Sequence, residues 1–215
     1  MVKVLGIDEA GRGPIIGPLI IAGVLIDEKE SEKLTKGGIK DSKLILKKKR
    51  EQLFKKIKKD FKYKIIKVEP KEIDDIILNS NHNLNDLEAM KAAEIINELK
   101  PDKAIVDCPS PNTSKWNKQL KSMLDFDIEL ITENKADENY PVVGAASILA
   151  KVTRDNEIEK IKKKYGDVGP GYPSNEITKK FVKENFDKHP EIFRKSWATF
   201  KNAKKEKEQS KLNDF

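Results

Sequence analysis

The sequence predicts an α/β fold, a mixed sheet flanked by helices and followed by a helical C-terminal extension. Two patterns predict it. Three strand-like runs come early, at residues 2–8, 15–26 and 62–68, and beyond Lys100 short apolar runs alternate with helical stretches. Length and composition agree, because 215 residues of which 37% are hydrophobic can bury a core without disulfides, and the single cysteine, Cys108, has no partner for an intramolecular bridge. No apolar run approaches the roughly 18 residues of a membrane span and the start lacks signal-peptide organisation, so a soluble, cytoplasmic chain with no membrane partner is expected.

Residues 2–8 and 15–26 are rich in β-branched side chains and are joined by a glycine-rich loop, which favours an antiparallel, hairpin-like start. After Gly37-Gly38, Asp41-Ser42 offers an N-cap to a basic helix over about 43–59, with Leu46, Arg50, Leu53 and Ile57 near one face. Residues 62–68 alternate as a third strand that ends at Pro70. A helical stretch then runs to Leu99, interrupted by turn residues at 79–83.

From Lys100 the order is strand (KAIVDCP), helix (113–124), strand (IELITEN) and a long helix over 141–165. The turn GDVGPGYPSN closes that helix, and 176–200 reads as further helix whose Phe181, Phe186, Phe193, Trp197 and Phe200 are assigned to packing. The terminal KNAKKEKEQSKLNDF has almost no apolar content and is expected to be disordered.

Lys and Arg number 43 against 36 Asp and Glu, a net charge of +7. Residues 43–67 alone hold 12 Lys/Arg against Glu51 and Asp60. Such a stripe suits a polyphosphate partner, although Lys- and Glu-rich surfaces also arise as plain solvated faces. Arginine is scarce, with only Arg12, Arg50, Arg154 and Arg194, so an arginine inside the first glycine loop stands out.

Three apolar runs end in acids: VLGIDE, AIVDCP and, after IELITEN, the residues KAD. Any one of these could cap a loop. Together, Asp8, Glu9, Asp107 and Asp137 fall where open α/β sheets collect functional groups. Converging carboxylates repel one another unless a cation neutralises them, and oxygen-only donors select hard ions, Mg²⁺ with Mn²⁺ as substitute. Two such ions suit phosphodiester hydrolysis. Because Asp8 and Glu9 are adjacent in a strand they should face opposite ways, so a bend at Ala10-Gly11 is expected to bring both to one site. The loop GRGPIIGP lacks the GKS or GKT ending of a nucleotide-triphosphate loop and no helix follows it, which leaves either a tight turn or a backbone that closely approaches a ligand.

The ordered segments GIDEAGRGPIIGP, KDSK, IVDCP, ENKADENYPVVGAASILAKVTRD and GPGYPSN resemble type 2 ribonuclease H (ribonuclease HII) of the archaeal kind, as does the C-terminal FRKSWATF. The resemblance covers roughly residues 2–175 and implies an RNase H-like, mixed five-stranded sheet, with a catalytic domain at 1–170 and a helical extension at 171–215. It implies an endonuclease that cuts the RNA strand of RNA–DNA hybrids and ribonucleotides embedded in duplex DNA, and for a chain of this size and class a monomer is the default expectation. By position, Asp8, Glu9, Asp107 and Asp137 match the family's metal-site acids. Gly11, Arg12 and Gly13 match the loop that reads the 2′-OH, Tyr172 the tyrosine supporting ribose recognition, and Lys43 a phosphate contact. Ala145, Ala146 and Ser147 would let their helix approach the sheet. Two positions depart from the family pattern: Gly144, and Cys108, which would open the site to oxidation.

Overall fold

The computed structural model describes residues 1–36, 39 and 47–212. In chain order these form β1 (Lys3–Ala10), β2 (Leu19–Asp27), α1 (Ser31–Lys36), α2 (Lys47–Asp60), β3 (Lys62–Val68), α3 (Pro70–Asn79) and α4 (Leu84–Leu99). There follow β4 (Lys103–Asp107), α5 (Thr113–Lys121), β5 (Glu129–Glu133), α6 (Ala136–Asn139), α7 (Pro141–Tyr165), α8 (Glu176–Asn185) and α9 (Ala198–Leu212). The expected order of strands and helices holds, and the five strands form one mixed sheet in the order β3-β2-β1-β4-β5. β1 pairs antiparallel with β2 and parallel with β4, and β4 pairs parallel with β5.

The chain divides into two compact units. One comprises Met1–Ala10, Ile20–Lys67 and Asn85–Thr153; the other comprises Gly11–Leu19, Val68–Leu84 and Arg154–Phe215.

In the first unit the strand alternation of β1 sorts its side chains to two faces. Val4 and Ala10 join a core with Val143, Ala146, Leu149 and Ala150 of α7 and with Leu53 and Ile57 of α2. The closest approach is at Gly6, where a Cβ would stand only 2.4 Å from the Val142 carbonyl carbon. A glycine is therefore required for the first turn of α7 to lie on β1. Ala145, Ala146 and Ser147, expected to allow that approach, are fully buried. On the other side Leu5 and Ile7 are fully or almost fully buried, as are Ile95 and Ile96 of α4, whose Ile95 side chain packs where a Cβ on Gly23 would fall.

The second unit has its own apolar core of Ile15, Ile16, Ile158, Val168, Phe181, Val182, Phe186, Ile192, Phe193 and Phe200. Here the expected strand at 15–26 is corrected, since β2 begins only at Leu19. Gly17 at φ +85° and Pro18 break the strand, and Ile15 N–H instead donates to Gly171 O at 2.8 Å while Ile16 bridges Phe193. The continuous helix expected over 176–200 is also corrected. It ends at Asn185, and a 3-10 turn at Pro190–Ile192 precedes α9, because proline removes a backbone donor and blocks helix continuation.

The terminal stretch expected to be disordered is helical as far as Leu212. Its Ala, Lys, Glu and Gln residues are strong helix formers, and Lys207 pairs with Asp187 at the end of α8. The expected N-cap at Asp41-Ser42 and the phosphate contact Lys43 lie outside the described residues.

Candidate metal centre and substrate loop

β1 and β4 run side by side and their pairing covers Val4 to Ile7 opposite Lys103 to Val106. The next residues on each strand are Asp8 and Asp107, so parallel register alone sets two carboxylates beside one another. Ligand oxygens of Asp8, Glu9 and Asp107 all lie within 4.8 Å of one another. The expected bend is not what joins Asp8 to Glu9. β1 stays paired with β2 through Asp8↔Ala22, Glu9↔Ile21 and Ala10↔Ile20. Both side chains instead converge beyond the end of the β1–β4 ladder. Asp8 lies on the side of Ser147 and Lys151 of α7, while Glu9 lines a recess with Asp107, Glu88 and Ala92 of α4, and Trp116 of α5.

Local hydrogen bonds hold the trio. Asp8 Oδ1 accepts from Glu9 N–H at 2.7 Å, and Asp107 Oδ1 accepts from Ala136 N–H at 2.7 Å at the start of α6. That donor exists because Lys135 takes a left-handed conformation, φ +60°, and turns the chain into α6. Asn134 Nδ2 donates to Cys108 O at 2.6 Å and Ser110 O at 2.9 Å, tying the segment after β5 to the end of β4.

Asp137, the fourth expected acid, stands outside the trio. It is buried on α6, its Oδ2 lies 3.7 Å from Lys151 Nζ, and its charge reaches Asp8. Burial pushes the Asp8 carboxyl from its ordinary 3.8 up to about 7. Ser147 is the largest counterweight, ahead of the repulsion from Asp107, the attraction of Lys151 and the repulsion from Asp137. The Ser147 hydroxyl has no hydrogen bond of normal geometry, so it acts on Asp8 by proximity and not as a formed bond. Cys108 is buried, and burial pushes its thiol up, which disfavours the reactive thiolate and argues against the expected sensitivity to oxidation.

The second unit carries the glycine loop. Gly11 takes φ +90° and a Cβ there would meet Pro18 O at 2.8 Å, whereas a Cβ on Gly13 would meet only the Tyr172 ring, at 3.7 Å. The structure therefore brings Gly13 and Tyr172 together. Arg154, buried, lies over the same tyrosine: its guanidinium is 5.1 Å from the ring centre and Nη2 donates to Pro170 O. Gly171 N–H donates to Thr178 Oγ1 at 3.1 Å, and that hydroxyl donates to Val168 O at 2.9 Å, closing the GPGYPSN turn on α8.

Sequence reasoning missed the residues that hold these parts. Arg194 donates to the carbonyls of Gly11, Arg12 and Gly17, Trp197 donates to Gly13 O, and Asp74 accepts from the chain between them. Trp197, assigned to packing, also has a polar role. FRKSWATF and ASILAK contained the signal for Arg194, Trp197, Ser147 and Lys151, but as a string and not as a set of contacts.

One buried carboxylate beside two half-buried ones, with no imidazole in the cluster, is a donor set of the class that suits hard divalent cations. The donor set fits the ion on its own evidence, because a carboxyl held at about 7 by burial and neighbouring acids is relieved by a cation.

The sequence pattern of the family described as Ribonuclease HII matches residues 5–200. A ribonuclease HII of Methanococcus maripaludis is 46% identical over 97% of this chain and 90% of its own length, and one of Pyrococcus furiosus is 45% identical over 99% and 98%. Among solved structures, the ribonuclease H2 of Pyrococcus horikoshii OT3 is 43% identical over 95% of this chain and 98% of that one, with a TM-score of 0.88. RNase HII in the PCNA:RNase HII complex of Archaeoglobus fulgidus is 38% identical over 91% and 95%, with a TM-score of 0.84. The chain belongs to the ribonuclease HII family, whose fold it has, and is a metal-dependent ribonuclease with ribonuclease H activity on RNA–DNA hybrids. Among the described residues no helix is long and apolar enough to cross a membrane.

Proposed function

We propose that this chain is an endonuclease that hydrolyses the phosphodiester on the 5′ side of a ribonucleotide, in RNA–DNA hybrids and at ribonucleotides embedded in duplex DNA. It leaves 5′-phosphate and 3′-OH ends. The observation that carries the reading is the convergence of Asp8, Glu9 and Asp107 oxygens within 4.8 Å around a carboxyl whose pKa burial raises to about 7. Asp8, Glu9 and Asp107 would hold the divalent cations, with Asp137 completing the set from α6. Two Mg²⁺ ions, or Mn²⁺ in their place, supply activation of the attacking water and stabilisation of the leaving oxygen when bound.

The protein's own residues do the rest. Asp107 is oriented by the Ala136 amide and Asp8 by the Glu9 amide, so both carboxylates present their second oxygen in a set direction. Gly11, Arg12, Gly13 and Tyr172 read the sugar. The 2′-OH is donor and acceptor and separates RNA from DNA, and an exposed, side-chain-free Gly13 beside a 41%-exposed Tyr172 leaves backbone and phenol accessible to it. Lysines of α2 and Lys43 contact phosphate, consistent with the positive run over 43–67. The catalytic part is residues 1–170 and the extension 171–215, working as a monomer in the cytoplasm.

The test is cleavage of a duplex carrying one ribonucleotide beside an all-DNA duplex, with and without Mg²⁺, with product ends mapped. A single Mg²⁺-dependent cut 5′ of the ribonucleotide is expected. Equal cleavage of the all-DNA duplex would mark a general nuclease instead. Asp107→Asn should lower the rate by more than about 100-fold, the upper end of what losing a ligand's outer-shell partner costs, while duplex binding persists.

A further inference from the structure

Arg194 is among the most buried residues of the protein, with no exposed surface, and it sits in the C-terminal extension. Burying a guanidinium is expensive unless its donors are met. Here they are met by main chain: Nη2 donates to Gly11 O at 2.6 Å, Nη1 to Arg12 O at 2.9 Å and Nε to Gly17 O at 3.1 Å. The Trp197 ring lies 4.9 Å from the same guanidinium, and its Nε1 donates to Gly13 O at 3.1 Å. Three consecutive carbonyls, of Gly11, Arg12 and Gly13, are therefore all taken by the 194–197 segment.

That pattern has a stereochemical consequence. In a trans peptide the C=O and the following N–H point in opposite directions, and the protein has no cis peptide bond among the described residues. With the carbonyls of Gly11 and Arg12 drawn to Arg194, the amides of Arg12 and Gly13 turn away from the clasp. The next residue, Pro14, has no N–H to present. The clasp thus turns two adjacent backbone donors, of Arg12 and Gly13, to the side of the loop opposite Arg194.

The clasp is itself held. Asp74 of α3, buried, accepts from Lys195 N–H at 2.8 Å, from Ser196 N–H at 2.8 Å and from Ser196 Oγ at 2.6 Å. A buried carboxylate meeting three donors from one turn fixes that turn strongly.

We infer that Arg194 and Trp197, anchored by Asp74, are positioning residues for ribonucleotide selection: they set the peptide planes of Gly11 to Gly13 and so decide whether the loop can bind a ribose 2′-OH. This rests on the proposed reading of that loop. Neither residue touches substrate, and neither acts on the metal carboxylates. Their loss should therefore lower ribonucleotide recognition and leave cation binding intact.

The experiment uses the full chain as Arg194→Lys, Trp197→Phe and Asp74→Asn. Affinity for a one-ribonucleotide duplex and for an all-DNA duplex is measured in Ca²⁺, cleavage in Mg²⁺ and Mn²⁺ affinity by calorimetry without substrate. Trp197→Phe removes one donor and keeps the ring, so the ribonucleotide preference should fall roughly five- to tenfold, with Arg194→Lys losing more. Mn²⁺ affinity should match the wild type in every variant that folds. If Arg194→Lys fails to fold, Trp197→Phe decides alone. Wild-type preference in Trp197→Phe, or a preference lost only in step with Mn²⁺ affinity, overturns the inference. A wild-type protein that does not prefer the ribonucleotide duplex overturns the reading of the loop, and the inference with it.

Discussion

Lys151 Nζ lies 3.7 Å from Asp137 Oδ2, and the same ammonium lowers the pKa of Asp8. One cation thus serves two of the expected metal-site acids from a single turn of α7. Replacing it with an uncharged chain of similar length, Lys151→Met, leaves those acids more negative and should tighten Mn²⁺ binding at pH 8.5 by up to about tenfold, or about 1.4 kcal/mol. Calorimetry without substrate reads this directly. Unchanged or weaker binding would mean that the ammonium does not share the field of the carboxylates.

The raised Asp8 pKa makes stability depend on pH with a definite sign. Folded Asp8 holds its proton up to about 7 whereas the unfolded group releases it near 3.8. Its contribution is therefore fully present below 3.8 and is lost as pH rises through 7. Metal-free protein should show a Tm that falls between pH 5 and pH 8, and Asp8→Asn should flatten that slope. Divalent cation should restore Tm at pH 8 and do little at pH 5, by about 2.7 kcal/mol at a hundredfold excess over Kd. A metal-free Tm slope that is the same in wild type and Asp8→Asn removes Asp8 as its cause.

Gly11 and Gly13 differ in what a methyl group would cost. At Gly11, φ +90° and the contact with Pro18 O at 2.8 Å make Ala strained, with destabilisation of about 1–2 kcal/mol. At Gly13 the added Cβ meets only the Tyr172 ring at ordinary contact distance, so Gly13→Ala should unfold within about 0.5 kcal/mol of wild type. Gly13→Ala is therefore the clean test of the sugar-reading role proposed for this surface. Mn²⁺ affinity should be retained and cleavage at a single ribonucleotide strongly reduced; full activity would reduce the loop to a turn.

Gly6 is where α7 rests on β1. A Cβ would lie 2.4–2.5 Å from three backbone atoms of Val142 and Val143, which no side-chain rotation relieves. Gly6→Ala should destabilise by roughly 1–3 kcal/mol, as overpacking does. Because the same helix carries Lys151 toward Asp8 and Asp137, a shift of α7 away from β1 withdraws that competing ammonium, and Mn²⁺ affinity at pH 8.5 should rise in the folded variant. Chemical denaturation and calorimetry measure the two effects separately.

Much of this was legible in the sequence because the signals are local. Strand periodicity, the proline and glycine breaks, and acids at strand ends each occupy a few consecutive residues, and the Asp8–Asp107 pairing follows once β1 and β4 are parallel neighbours. The misreadings arose where partners are distant. Ile15 and Ile16 have strand chemistry, but their backbone groups are claimed by Gly171 and Phe193. Glu9 was expected to need a bend, but two carboxylate arms meet beyond the end of a ladder whose length the residues around Glu9 do not encode. The terminal lysine-rich stretch is apolar-poor yet helical, since helix propensity, the Lys207–Asp187 pair and the packing of Ala203 on the second unit's core act together.

The sequence by itself determined the order of the elements, the oxygen-only character of the candidate metal site and the glycine loop set directly after Asp8 and Glu9. Only the tertiary structure decided which acids form the trio, which one stands apart beside Lys151, and what holds the loop. The physical reason is the range of the forces. Side-chain type and backbone propensity act over a turn of helix or a strand, whereas Arg194 meets the carbonyls of Arg12 and Gly11 from 182 and 183 residues away. A buried charge of that kind is stable only when folding brings its acceptors to it.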